Sequence, residues 1–99
     1  MEKFLVVTPG YPSSDNIYNN TFVHSRVKQY QKNNINIVVF SIDKKKSDEY
    51  EYEGVKVIRG NYDKLAEVLK NNQFPKILIH FGYKKIIQTI TKFSPSSKL

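Results

Sequence analysis

Cysteine is absent from this chain of 99 residues. Its absence excludes disulfide bonds, thiolate catalysis and zinc sites built on cysteine, and it agrees with a reducing compartment. No apolar run approaches the roughly 20 residues of a membrane-spanning helix, and we expect no secretory signal because the apolar segment at residues 4–7 is too short. The 2 histidines are far apart and neither has a carboxylate at ligand spacing, so no metal site is predicted.

Several motifs that mark well-known chemistry are also missing. The sequence has no phosphate-binding P-loop, no Gly-x-Ser-x-Gly elbow and no three-glycine dinucleotide fingerprint. It also lacks the acidic cluster of a phospho-receiver domain, because Asp43 stands alone beyond the second apolar segment. These absences exclude the most easily recognised nucleotide-binding, serine-hydrolase and receiver classes.

Acidic residues are few relative to basic ones. The chain has 9 Asp plus Glu against 16 Lys plus Arg, which gives a net charge of +7. This balance favours an anionic partner, such as phosphates, acidic lipid headgroups or nucleic acid. The lysines are spread along the whole chain, however, so a lysine-rich composition without a dedicated anionic partner explains the charge equally well.

The first half of the chain predicts a βαβ unit. Residues 4–7 are a continuous apolar run, as expected of a strand that is buried on both faces of a parallel sheet, and residues 35–40, in which Asn36 is polar, are predicted to form a second apolar strand. Between them, a helix is predicted from Asn20 or Thr21, either of which can cap it, to the Asn pair at 33–34. Its buried stripe consists of Val23, Val27 and Tyr30, widened by Phe22.

The second half repeats the alternation after a charged segment. Residues 43–53 are interpreted mostly as a solvated loop, and a short hairpin turning at residues 53–54 is the alternative. A third strand at 55–59 and a fourth at 76–80 flank a helix capped by Asn61, and a third helix follows from Tyr83. We therefore predict a three-layer α/β sandwich with a mostly parallel sheet of about four strands, formed by residues 1–93 and followed by a polar tail at 94–99.

The loop at residues 9–20 is the first candidate site. It follows the first strand, and α/β folds bind ligands in the crevice outside the carboxyl ends of their strands. Gly10 would let the backbone approach a ligand closely, and the loop offers side chains that suit a sugar or a nucleotide, namely Tyr11, Tyr18, Asn19 and Asn20. The alternative is an ordinary turn in which Gly10 serves only its own backbone angles.

The segment at residues 80–85 is the second candidate site. His80 closes the fourth strand at the same edge of the sheet, and Lys84 and Lys85 fall in the first turn of the next helix. Cations are disfavoured there by the helix dipole, by a few tenths of a kcal/mol each. A bound phosphate or pyrophosphate would resolve this conflict, since the free N–H groups of a helix start also favour an anion. Two solvated lysines and a hydrogen-bonded histidine are the alternative.

With these elements placed, the chain resembles the start of a GT-B type glycosyltransferase, of the large retaining family (family 4-like) that builds bacterial polysaccharides. The likeness is carried by FLVVTPGYPSSDNIYNNTFVHSRVKQYQKNNINIVVFS at 4–41, YEGVKVIRG at 52–60 and KILIHFG at 76–82. In that family, a first strand with a Pro- or Gly-bearing loop, a helix, a Gly-Val-x-Val-x-Arg strand and a strand closing on His follow in this order.

The resemblance implies an enzyme with two Rossmann-like domains that transfers a sugar from a nucleotide-sugar donor to a saccharide or lipid-linked acceptor. Gly10 matches the loop that approaches the bound ligands, and His80 matches the histidine that helps to position the transferred sugar. The family requires no metal and no cofactor besides its nucleotide-sugar substrate. Its usual paired glycines are reduced here to one, and its usual two histidines leave the register of His80 open.

The resemblance also implies what surrounds the chain. The matched part corresponds to the N-terminal, acceptor-side domain, so the donor-binding C-terminal domain is an expected partner and the chain alone is expected to be inactive. We expect a cytoplasmic protein, peripheral at an anionic inner membrane face, that self-associates through the edge of the fourth strand and binds no nucleic acid. The alternative from a different class is a stand-alone basic α/β module that binds nucleotides or nucleic acid.

Overall fold

A computed structural model describes residues 3–14, 16–72, 74–79 and 84–93. These residues form a five-stranded sheet and three helices. Some predictions concern residues outside the described ranges, namely those for His80, Gly82, Tyr83 and the tail at 94–99. Within the described ranges, no helix is long and apolar enough to cross a membrane.

The elements alternate along the chain as the sequence predicted, with one addition. Their bounds in chain order are β1 (Lys3–Thr8), α1 (Thr21–Lys32), β2 (Asn36–Ile42), β3 (Asp48–Tyr52), β4 (Val55–Gly60), α2 (Tyr62–Asn71), β5 (Lys76–Ile79) and α3 (Lys84–Phe93).

The strand order across the sheet is β3-β4-β2-β1-β5. β1 pairs in parallel with β2 and β5, and β2 pairs in parallel with β4, whereas β3 runs antiparallel to β4. The prediction of a mostly parallel α/β sheet is therefore confirmed. Because β1 and β5 are adjacent, with Val7 paired to Ile79, their carboxyl ends lie side by side at one edge of the sheet.

The prediction of about four strands, with a solvated loop at residues 43–53, is wrong for its second half. Residues 48–52 form β3, and the hairpin alternative is confirmed. Glu53 and Gly54 make the turn with φ of 49° and 83°, the positive values that two-residue hairpin turns favour. The strand forms because its two tyrosines, Tyr50 and Tyr52, pack against the core on one face while Glu49 and Glu51 stay exposed on the other.

Helices cover the sheet on both sides, so both of its faces are buried. On one face, Val23 and Val27 of α1 share a core cluster with the alternate strand residues Val6, Val39 and Val57. On the other face, α2 and α3 contribute Leu65, Leu69, Ile86 and Ile90 to a cluster with Leu5 and Phe40. Burial on both faces explains why the centres of β1 and β2 are apolar at consecutive positions, 4–7 and 37–40, rather than at alternating ones.

Phe22, which the sequence pattern placed in the buried stripe of α1, is exposed instead, and so is one isoleucine of α3. Phe22, in the first turn of α1, is 53% exposed, and Ile87 of α3 is 38% exposed. Each sits next to the stripe that is buried, which consists of Val23 and Val27 in α1 and of Ile86 and Ile90 in α3. A helix lying on a flat sheet buries a narrower face than the sequence pattern of these two helices offers.

Candidate functional site

A row of four polar residues crosses the sheet at its carboxyl edge. Thr8 of β1 pairs with Ser41 of β2, Ser41 pairs with Arg59 of β4, and Arg59 pairs with Asp48 of β3. Towards the interior, the next residues of the same face, Val6, Val39 and Val57, are all fully buried. The sheet therefore changes from apolar to polar where the strands end, which is the place where α/β sheets bind ligands.

A cleft of about 250 Å³ opens over this polar row. One wall is the loop after β1, the floor is the end of β2 with Arg59, and the other wall is the loop after β2. Its lining residues are Pro9, Gly10, Tyr11, Ser13, Asn16, Asn19, Ser41, Ile42, Asp43, Lys46 and Arg59. We call this the carboxyl-edge cleft. Most of these side chains carry hydroxyl, amide or charged groups, so the cleft offers both donors and acceptors to a ligand.

Asp43 is held ionised in the wall that follows β2. Its carboxylate Oδ1 accepts hydrogen bonds from the backbone N–H groups of Lys45 at 2.8 Å and Lys46 at 2.9 Å. Desolvation is the largest single influence on this carboxyl and opposes ionisation. The two backbone hydrogen bonds and the positive charges of Arg59 and Lys46 nevertheless outweigh it together and lower the pKa of Asp43 below its ordinary value.

Arg59 is fixed in the floor by two contacts. Its Nε and a terminal guanidinium nitrogen donate to the two carboxylate oxygens of Asp48 at 2.8 and 2.7 Å, and its guanidinium carbon lies 4.9 Å from the ring centre of Tyr50. The side chain is only 12% exposed. Such a two-point pair is rigid, so the cleft has a pre-positioned cation whose orientation is set by β3.

The loop after β1 is folded around the carbonyl of Gly10. The Thr8 hydroxyl donates to this carbonyl oxygen at 2.9 Å and the Asn20 side-chain amide donates to it at 3.1 Å. A Cβ on Gly10 would lie 2.8 Å from Nδ2 of Asn19. The glycine is thus explained by the Asn19 side chain that packs over it, and Asn19 in turn lines the cleft.

A hydrogen-bonded chain of three side chains braces the cleft from behind. The Tyr11 hydroxyl lies 2.5 Å from Nδ1 of His24, and Nε2 of His24 lies 2.7 Å from Oε1 of Glu53. The Glu53 carboxylate accepts from Nε2 of His24, and Nδ1 of the same ring is hydrogen-bonded to the Tyr11 hydroxyl. Tyr52 adds an edge-on ring contact, with its ring centre 4.9 Å from that of His24. The loop, α1 and the β3–β4 turn are therefore tied together through His24.

The side chain of His24 is only 12% exposed, and no pattern in the sequence predicted its contacts. Its two polar partners are 13 residues earlier and 29 residues later in the chain. Neither separation has a helical or strand period, so no local pattern could reveal the contact. Four residues that line the cleft were also not predicted as site residues, namely Arg59, Asp43, Ser41 and Lys46. The first three could have been found, because each is a polar residue at or just beyond the end of a strand.

Replacing Tyr11 with phenylalanine tests this brace. We expect the free energy of unfolding to fall by about 1–2 kcal/mol, because the ring contacts remain while one part-buried hydrogen bond is lost. Desolvation, followed by the nearby Tyr50, Glu53 and Tyr52, raises the pKa of the Tyr11 phenol above its ordinary value. Folding therefore favours the protonated phenol of Tyr11. The stabilisation that this phenol contributes is fully present below about pH 10 and is lost as the pH rises further.

Urea unfolding of the wild type and of Tyr11→Phe between pH 7 and pH 11 measures this change in the free energy of unfolding. Tyr11→Phe should lose less stability than the wild type above pH 10. Tyr18→Phe, at a hydroxyl on a residue that is 82% exposed, is the matched control and should behave like the wild type. An identical alkaline loss in wild type and Tyr11→Phe would contradict the role given to this phenol.

The structure brings some predicted site residues to the cleft and leaves others away from it. Gly10 and Asn19 line it, and Asn20 supports it from behind as the residue before α1. Asn20 is the N-cap by position, with a left-handed backbone, but its side chain does not cap the helix. Tyr18 lies outside the cleft lining. Lys84 and Lys85 are both exposed, and the Lys85 ammonium lies 5.3 Å from the ring centre of Tyr62 on α2.

Neither metal ligands nor known relatives indicate a function for the described part of the chain. Among the described residues, no group of three or more His, Cys, Asp or Glu side chains could hold a metal ion. Comparison of the chain with family models, with curated proteins and with solved structures finds no match.

Proposed function

We propose that this chain is part of the acceptor-side domain of a sugar-transferring enzyme, and that the carboxyl-edge cleft holds the saccharide acceptor. In this proposal, the five-stranded sheet and its helices form a Rossmann-like three-layer α/β/α domain of the GT-B type. The observation that carries the proposal is the polar row at the strand ends with the cleft above it. The resemblance of the sequence to GT-B type glycosyltransferases is the reason for proposing a saccharide acceptor as the ligand.

The lining of the cleft suits the hydroxyl groups of a sugar. Each hydroxyl donates one hydrogen bond and accepts others, so a saccharide site needs carboxylate or carbonyl acceptors beside amide and cationic donors. Asp43 supplies an ionised acceptor, Arg59 and Lys46 supply charged donors, and Asn19 offers both kinds of group. Ser41, which is only 3% exposed, adds a hydroxyl in the floor.

The proposed reaction is the transfer of a glycosyl group from a nucleotide sugar. The bond between the anomeric carbon and the diphosphate breaks, and a new bond forms from that carbon to an acceptor hydroxyl. The nucleoside diphosphate leaves and takes up the proton that this hydroxyl loses. By the family resemblance, the nucleotide sugar would be held by a second domain, and His80 would help to position the transferred sugar. The residues of the cleft would orient the acceptor hydroxyl and exclude competing water.

Saccharide binding by the chain tests this function directly. Short oligosaccharides of different composition, titrated by isothermal calorimetry, should include at least one that binds, and Asn19→Ala should weaken that binding at least about tenfold because hydrogen bonds in a partly desolvated cleft are lost. Ser25→Ala, at an exposed hydroxyl on α1, is the matched control. Turnover of nucleotide sugars by the full native gene product tests the transferase part.

A second candidate function rests on the net charge of +7. A basic α/β module could bind nucleotides or nucleic acid, and such binding would weaken steeply as salt concentration rises. If no oligosaccharide binds while single- or double-stranded DNA binds with a steep salt dependence, this second function replaces the first.

A further inference from the structure

β3 is an edge strand of the sheet. In the order β3-β4-β2-β1-β5 it pairs on one side with β4, and within the described part of the chain no strand pairs with its other side. An edge strand presents backbone N–H and C=O groups with which an extended segment of another protein can pair. The outer side of β3 is therefore a place where a further strand can be added to the sheet.

Two residues of β3 direct their backbone groups outward. Tyr52 and Val55 flank the two-residue turn between β3 and β4, so they form the hydrogen-bonded pair that closes the hairpin. Hydrogen-bonded and non-hydrogen-bonded pairs alternate along an antiparallel ladder. Glu51 and Glu49 therefore belong to non-hydrogen-bonded pairs, and their N–H and C=O groups point away from β4. We call these backbone groups of Glu49 and Glu51 the open edge.

The open edge is pre-formed, because β3 is held in place from three directions. The Tyr50 hydroxyl donates to the carbonyl of Pro12 at 2.9 Å, and the two-point pair with Arg59 fixes the first residue of the strand. At the other end, Nζ of Lys28 on α1 donates to the backbone carbonyl of Glu53 at 2.7 Å. A strand that is already ordered loses little conformational entropy when another strand pairs with it.

The side chains of the open edge are acidic. Glu49 and Glu51 are both exposed on the face of the sheet that α2 covers farther in. The groove between this face and α2 is lined by two cations and two carboxylates that balance each other, namely Lys56, Lys64, Glu49 and Glu67. Glu51 adds a further carboxylate, so this face of the open edge carries an excess of negative charge although the net charge of the chain is +7.

From this arrangement we propose that the open edge binds an extended segment of a partner protein that has Lys or Arg at alternate positions. The residues that pair with Glu49 and Glu51 project on the same face as the two glutamates, and opposite charges directly across two strands stabilise their pairing. The intervening residues of the segment project beside Tyr50 and Tyr52, against which β-branched or aromatic side chains pack well. Main-chain hydrogen bonds give such a complex its affinity, and alternate side chains give its specificity.

Charge opposes a second copy of the chain as the occupant. Only residues with outward backbone groups can exchange hydrogen bonds across a new interface, so a symmetric pair of β3 strands would place Glu49 or Glu51 of one copy opposite one of the same two residues in the other. Like charges directly opposite each other destabilise strand pairing. The glutamates thus keep two copies apart while they attract a basic strand.

Fluorescence anisotropy of a labelled peptide tests the proposal. The probe is a short capped peptide in which Lys and Val alternate, and the comparison peptide has Glu in place of Lys. We expect the wild type to bind the Lys peptide at least about tenfold more tightly than the Glu peptide. Glu51→Lys should lower the affinity for the Lys peptide about tenfold and raise the affinity for the Glu peptide. Asp63→Lys, the same change of charge at an exposed position of α2, is the matched control and should bind like the wild type.

Two further measurements separate strand pairing from simple attraction between charges. The Lys peptide should slow hydrogen exchange at the amides of Glu49 and Glu51, while exchange at Tyr50, which is already bonded to β4, changes little. A Lys peptide that is methylated at the backbone nitrogens of its lysines keeps its charges but cannot donate there, so it should bind at least about tenfold more weakly.

Several results would overturn the proposal. They are equal binding of the methylated and unmethylated peptides, protection confined to residues outside β3, an equal loss of affinity in folded Glu51→Lys and Asp63→Lys, and no binding at millimolar peptide. A dimer of the chain in which the Glu49 and Glu51 amides are protected would overturn it in favour of a second copy. Circular dichroism shows whether each variant is folded. The pairing uses the outer side of β3 and not the carboxyl-edge cleft, so it does not depend on the proposed function.

Discussion

Replacing Phe40 with alanine should leave much of the protein unfolded at 37 °C. Phe40 is fully buried in β2, which lies between β4 and β1 in the middle of the sheet, and it is a member of the core cluster that α2 and α3 cover. Removing a buried phenyl ring costs about 3–5 kcal/mol. A domain of this size has a small core and a total stability towards the lower end of about 5–15 kcal/mol.

Phe22→Ala is the matched control for this prediction, because the same ring is removed from a side chain that is 53% exposed. We expect it to change the free energy of unfolding by less than about 1 kcal/mol. Urea unfolding followed by circular dichroism measures both. If Phe40→Ala loses no more stability than Phe22→Ala, the central position of β2 in the sheet is wrong.

Arg59→Met should abolish most saccharide binding and should loosen β3. The variant keeps the length of the side chain while removing the guanidinium that is paired with both oxygens of Asp48 and lies against Tyr50. Asp48 is 47% exposed, so water replaces part of the lost pairing and the cost in stability should be about 1–2 kcal/mol. The affinity for the saccharide should fall about tenfold to a hundredfold, as expected for a lost hydrogen bond to a charged group.

Two further variants separate the charge of Arg59 from its two-point pair with Asp48. Arg59→Lys keeps the charge but cannot make the two-point pair with Asp48, so it should recover only part of the affinity. Lys56→Met removes a cation from the same strand, where it forms an exposed ion pair with Glu49 at 3.5 Å, and should leave both stability and binding almost unchanged. Hydrogen exchange of the β3 amides reports the loosening. Wild-type exchange in Arg59→Met would contradict the role given to Arg59.

The parallel part of the sheet could be predicted from the sequence because its signals are local. Residues 4–7 and 35–40 are apolar at every position or nearly so, and such runs arise where helices cover both faces of a strand. Asn61 was predicted as the cap of the second helix, and its side-chain oxygen does accept from the N–H of Lys64 at 2.9 Å. The carboxyl ends of β1 and β5 were predicted to be neighbours, and the pairing of the two strands confirms it.

The remaining features depend on contacts that are distant in the chain. The strand β3 is stabilised by Tyr50, whose hydroxyl donates to the carbonyl of Pro12, 38 residues earlier, and by the pair between Asp48 and Arg59. A segment rich in Glu and Lys gives no local sign of such partners. His24 was missed for the same reason. Gly10 was selected correctly as a special position, but the structure explains it by the Asn19 side chain rather than by a bound ligand.

The most direct test of the account is to map a bound saccharide by two-dimensional amide NMR. Isotope-labelled protein is titrated with the tightest-binding oligosaccharide, with uridine diphosphate glucose as a comparison. We predict that the largest shifts for the oligosaccharide fall on Gly10, Asn19, Ser41, Asp43 and Arg59. Shifts confined to α3 or to the β3–β4 turn, or no shift at millimolar oligosaccharide, would contradict the placement of the site.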